Sequence, residues 1–86
     1  MEKFIYTITD PLGIHARPAG KLAKVAKAFA DTTVTVTKGE TSVKATQLRK
    51  LRGMGVKEGD VVIVTAEGGN EAAAIAEVKA FFEENL

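Results

Sequence analysis

Residues 33–45 read TVTVTKGETSVKA, and their alternation decides the fold. In an extended chain Val34 and Val36 fall on one side and Thr33, Thr35 and Thr37 on the other. β-Branched residues favour such a chain. Lys38-Gly39-Glu40 makes a tight turn, and residues 41–45 return with Val43 and Ala45 on one face. The segment is therefore expected to be a β-hairpin with one apolar and one threonine-rich face. A sheet with one wet face needs helices on the other.

The flanking segments supply those helices and the remaining strands. Upstream, Phe4, Tyr6 and Ile8 alternate with Ile5 and Thr7, which reads as a strand. Asp10, Pro11 and Gly13 break it, leaving a loop over 9–14. Over 16–28 the apolar positions Ala19, Leu22, Ala23, Ala26 and, just beyond, Phe29 recur at helical steps, with Lys21, Lys24 and Lys27 mostly off that stripe. Pro18 is tolerated in the first turn, whereas Gly20 either weakens the helix or permits a close approach. Downstream, 47–53 is expected to be a short helix carrying Leu48 and Leu51 inward and ended by Gly53 and Gly55. Met54 and Val56 should then pack over the core. The run VVIVT over 61–65 is the most apolar strand and so a central one. A turn over 67–70 leads to a helix over 71–84, with Asn70 placed to cap it. Its stripe is Ala74, Ile75, Val78, Phe81 and Phe82. The order βαββαβα predicts an α+β domain over residues 1–86, an antiparallel sheet with its helices on one face.

Composition excludes several functions. Lys and Arg total 12 against 11 Asp and Glu, so no concentrated basic character argues for nucleic acid. With no cysteine, disulfides and cysteine-based metal centres are ruled out. No stretch approaches the length of an apolar membrane span, and MEKFIYTI lacks the features of a signal peptide. A cytoplasmic protein is the expectation.

The chemistry concentrates at one place. His15 is the single histidine, lying between the loop and the first helix with Arg17 two residues on. A neutral imidazole nitrogen can attack phosphorus. A helix start presents unpaired N–H groups, a positive dipole end and, here, a guanidinium, all suited to phosphate. By residue type alone, a lone histidine ahead of a helix is more often a cap or an ordinary surface residue. One histidine is too few ligands for a metal, and no triad partners accompany it. The lysines of the helix are either a solvated face or a ring around a phosphate site that attracts acidic partners. Leu48, Leu51, Met54 and Val56 are either core or an exposed docking patch.

The segment Gly13-Ile14-His15-Ala16-Arg17-Pro18-Ala19 resembles the active-site motif of the HPr family, the histidine-containing phosphocarriers of the bacterial sugar phosphotransferase system. The likeness continues through Lys38-Gly39, Leu48 to Leu51, Gly55, Gly59-Asp60 and Glu67-Gly68. It implies an open-faced sandwich of four antiparallel strands under three helices. It implies a carrier rather than an enzyme, needing no cofactor or metal and acting as a monomer. His15 would be phosphorylated at Nδ1 by phosphorylated enzyme I, which draws on phosphoenolpyruvate, and would pass the group to an enzyme IIA component. Ala16 and Arg17 would stabilise the phosphate. Leu48, Leu51, Gly20, Lys24 and Lys27 would form the partner-docking surface. One departure stands out: many members have a regulatory serine at the start of the second helix. This chain offers Gln47 there, or Thr46 if the preceding turn holds no extra residue. A carrier for nitrogen-related regulation and a regulatory module that no longer relays phosphate remain alternatives to the sugar carrier.

Overall fold

The computed structural model describes residues 1–14 and 16–86, with Ala16 described by its backbone alone. Seven elements follow in order: β1 (Glu2–Thr7), α1 (Ala16–Lys27), β2 (Thr32–Lys38), β3 (Thr41–Lys44), α2 (Leu48–Gly53), β4 (Val61–Gly68) and α3 (Glu71–Asn85). The strands form one sheet in the order β1-β4-β2-β3, antiparallel at every seam. The hairpin read from 33–45 joins Lys38 to Thr41 across Gly39-Glu40. Gly39 takes φ +60°, the left-handed conformation that a two-residue hairpin loop demands at its first position.

The period-two pattern produces two different faces. Val34, Val36, Val43, Val62, Val64 and Ala66 are buried beneath the helices, with Phe4 and Tyr6 packed alongside them. From above come Ala19, Leu22 and Ala26 of α1, Leu51 of α2, and Ala74, Val78, Phe81 and Phe82 of α3. Phe82 is the hub. Its ring meets Phe4, Tyr6 and Phe81 edge-on at centroid distances of 5.5, 5.4 and 6.2 Å. Edge-to-face pairs of this kind contribute about 0.5–1.5 kcal/mol each beyond the area they bury.

The other face of the sheet is open. Its β2–β3 half is polar as expected, with Thr33 exposed and a 2.8 Å hydrogen bond between the Thr37 and Ser42 hydroxyls. Its β1–β4 half is not: Ile5 pairs with Ile63, Thr7 pairs with Val61, and all three of these apolar side chains are exposed. β4 is central, as its apolarity predicts, and runs on to Gly68 rather than stopping at 65.

Two local expectations need correction. Asn70 occupies the position before α3 but its side chain makes no capping bond. The Glu71 carboxylate instead accepts the Gly68 amide at 3.1 Å, and the Thr32 hydroxyl accepts the Asn70 amide at 3.0 Å. Leu48 does not point inward: it is 39% exposed, whereas Leu51 is fully buried. A six-residue helix offers the core less than two turns, and Leu51, with Val56 beyond it, occupies that space.

Candidate functional site

The loop between β1 and α1 is held from three sides. The Ile8 amide donates to the Asp60 carbonyl at 2.9 Å and the Gly59 amide to the Ile8 carbonyl at 2.8 Å, extending the β1–β4 seam. The Leu86 carbonyl accepts from both the Thr9 and Asp10 amides and from the Thr9 hydroxyl. The third hold is Gly13, at φ +63°, where a Cβ would overlap the carbonyl of Val56. Only glycine combines that conformation with that close approach. The next amide, that of Ile14, donates to the same carbonyl at 3.1 Å, and the Ile14 side chain is buried. Within the loop Asp10 closes a turn: its carboxylate accepts the Leu12 amide at 2.8 Å and its carbonyl the Gly13 amide at 2.9 Å.

α1 then begins at Ala16. His15, the expected phosphate acceptor, and the side chain of Ala16 lie outside the described residues. Arg17 is exposed, and among the described residues no carboxylate comes within ion-pair distance of it. It lines a shallow hollow of about 260 Å³ together with Asp10, Pro18, Lys21 and Asn85. The first turn of α1 carries no acidic residue, so nothing on the helix itself offsets the positive end of its dipole. Guanidinium, ammonium and helix start outnumber the single Asp10 carboxylate there and leave the hollow suited to an anion. No group of three or more His, Cys, Asp or Glu that could hold a metal occurs among the described residues.

The support of the loop between β1 and α1 includes an ion pair far away in sequence. Lys38, at the end of β2, lies 2.9 Å from the Asp60 carboxylate and also donates to the Gly55 carbonyl at 3.1 Å. Asp60 in turn accepts the Lys57 amide at 2.8 Å. The Lys38 ammonium, followed by that amide, holds the Asp60 carboxyl below its usual range. These bonds fix residues 55–60, the stretch that carries the Val56 carbonyl against Gly13.

The expected docking residues divide. Lys24 and Lys27 are exposed in the last turn of α1. Gly20 is half-buried, and a Cβ on it would touch nothing within 4 Å, so no contact inside the molecule requires glycine there. Leu48 is exposed on α2. Leu51 is not available: with no exposed surface it is a core residue and not part of a docking surface. α2 runs alongside α1 in the opposite sense. Its far end leads to Val56 at the loop, while Thr46, just before it, lines a second hollow with Lys27, Phe29 and Lys44. Thr46 and Gln47 are both exposed, and Gln47 makes no side-chain cap. The sequence marks Asp10 only as a strand breaker and gives Asn85 no role. Asn85 reaches the hollow from the other end of the chain, and no local pattern signals it.

The PTS-HPr family, described as the PTS HPr component phosphorylation site, matches residues 2–84. The phosphocarrier protein HPr of Mycoplasma genitalium is 35% identical over 85 residues, covering 99% of this chain and 97% of that protein. That of Vibrio cholerae is 39% identical over 77 residues, covering 90% and 89%. Among solved structures, HPr-C-His from Thermoanaerobacter tengcongensis superposes with a TM-score of 0.91 at 31% identity, covering 98% of this chain and 93% of that one.

Proposed function

Because this chain belongs to the HPr family, the phosphocarriers that move a phosphoryl group on a histidine within the phosphotransferase system, we propose that His15 is the carrying residue and Arg17 its phosphate-stabilising partner. The observation that carries this reading is the hollow at the start of α1, where, among the described residues, no carboxylate lies in ion-pair reach of Arg17. The Nδ1 lone pair of His15 attacks the phosphorus of phosphorylated enzyme I. A nitrogen–phosphorus bond forms, and the donor's bond to phosphorus breaks with its electron pair returning to the donor. The reverse sequence delivers the group to an enzyme IIA component. Arg17 offers donors whose planar geometry fits phosphoryl oxygens. The Ala16 amide, at the helix start, adds an unpaired backbone donor.

Docking in this reading falls to Leu48 and to the α1 surface of Gly20, Lys24 and Lys27. An exposed apolar residue gives the contact a desolvated centre, and the lysines give it a charged rim for acidic partners. No serine stands at the start of α2, so the reading includes no serine phosphorylation there. The setting is the cytoplasm, and the carrier acts as one domain and as a monomer. No helix among the described residues is long and apolar enough to cross a membrane.

Incubation with enzyme I and phosphoenolpyruvate tests the proposal. Intact mass should show an acid-labile gain of one phosphoryl group, lost in His15→Ala. Arg17→Ala should accept the group at least about tenfold more slowly, the loss expected when a charge-assisted hydrogen bond of roughly 1.5–3 kcal/mol is removed. Undiminished labelling of His15→Ala would rule the assignment out.

A further inference from the structure

Three lysines decorate α1, and the sequence treats them alike. The structure does not. Lys24 and Lys27 sit in the last turn, and Lys27 borders the hollow at that far end. Lys21 lines the hollow of Arg17. The two are separated by four residues, so they are neighbours on one helix face. Like charges at this spacing are mildly destabilising in a helix. A protein usually offsets such a pair with a carboxylate, and here none is within ion-pair distance of either cation among the described residues. Among the described residues Asp10 is the only carboxylate lining the hollow, and one of its oxygens accepts the Leu12 amide. One carboxylate against two neighbouring cations leaves a net positive charge among the described residues that line this space of about 260 Å³, which opens to solvent.

We propose that Lys21 is a second cation for the phosphoryl group, sharing with Arg17 the charge that the group brings to this hollow. The inference rests on the reading of His15 as the carrier. Lys21 takes no part in bond making. Its ammonium holds the dianionic form by charge, as a compact, mobile donor, while Arg17 supplies the directed hydrogen bonds. Before phosphorylation Lys21 meets both the repulsion of Arg17 and the attraction of Asp10, which offset each other; afterwards the phosphoryl group adds a further attraction. The same substitution should consequently act far more strongly on the phosphorylated protein than on the free one.

The test compares wild type, Lys21→Gln, Lys21→Arg and Lys79→Gln, the last removing an equal charge from an exposed position on α3. Each is phosphorylated with enzyme I and phosphoenolpyruvate. Two quantities are read: the equilibrium division of the label between enzyme I and the carrier, and the second ionisation of the bound phosphoryl group by phosphorus NMR. For Lys21→Gln the equilibrium should move about fivefold toward enzyme I, the order expected when a unit charge a few ångströms away is removed in a water-exposed setting. The phosphoryl ionisation should move to higher pH. Its unfolding midpoint before phosphorylation should not fall. Lys21→Arg should restore both phosphoryl readouts, and Lys79→Gln should leave them at wild-type values. If Lys21→Gln matches Lys79→Gln in both, Lys21 is only a solvated lysine and the inference is overturned while the carrier reading stands. If wild type itself accepts no phosphoryl group, the carrier reading fails and takes this inference with it.

Discussion

Gly20 shows what a single residue reveals when its neighbours are known. A glycine inside a helix costs about 1 kcal/mol relative to alanine, and it is kept where something must come close. Nothing inside this molecule comes close: the space where its Cβ would stand is empty. Gly20→Ala is accordingly expected to raise the unfolding free energy by roughly 0.4–1 kcal/mol, read from urea midpoints at constant slope. If the α1 surface meets a partner, the same methyl group should weaken binding to enzyme I in a titration. Stabilisation with unchanged binding would place Gly20 outside the interface. Gly13 is the opposite case. The sequence marks it as a loop breaker, but the reason only glycine serves there is the Val56 carbonyl pressed against it. That contact joins chain segments far apart in sequence, and no local pattern encodes it. The roles of Asp10 and Asn85 were hidden for the same reason.

Among the elements, those with long periodic patterns were legible and the shortest was not. The stripe of α1, the faces of β2 and the stripe of α3 through Phe81 and Phe82 all appear where periodicity places them, whereas the unbroken apolar run of β4 does not signal that Val61 and Ile63 are exposed. α2 spans six residues, too few for a helical period to say which leucine turns inward. The structure separates them, and substitution can check the separation. Leu51→Ala should cost about 2–5 kcal/mol of stability, since it empties a fully buried site. Leu48→Glu should move the unfolding midpoint little, surface changes lying within about 0.5 kcal/mol, yet weaken binding to enzyme I. Equal losses of stability in both variants would show that Leu48 is structural and has no docking role. At the start of α3, Asn70 satisfies the sequence signal for a cap, yet its side chain makes no capping bond; the Thr32 hydroxyl and the Glu71 carboxylate accept the Asn70 and Gly68 amides just ahead of the helix.

At the scale of the whole molecule, the ion pair of Lys38 and Asp60 ties the hairpin to the stretch that supports the loop. The folded protein holds the Asp60 carboxyl below its unfolded value. The unfolded chain thus binds the proton more readily, so this contribution is complete above the unfolded pKa and is lost as pH falls through the folded one. Wild type should lose stability across that acid window, and Asp60→Asn should lose less over the same window while starting from a lower value at neutral pH. Urea unfolding at a series of pH values compares the two curves. Parallel curves would mean that the pair contributes nothing. The sheet order β1-β4-β2-β3 has a consequence in time as well as in space. Only β2 and β3 meet through a short turn; both remaining seams belong to β4, which is made last of the strands. Closing those long loops is the slow, entropically opposed part of folding. During synthesis the hairpin can form early, but β1 has no neighbour to pair with, and Gly13 has no Val56 to rest on, until the later part of the chain has emerged. A nascent chain therefore displays its histidine motif long before it owns a site in which that motif can work.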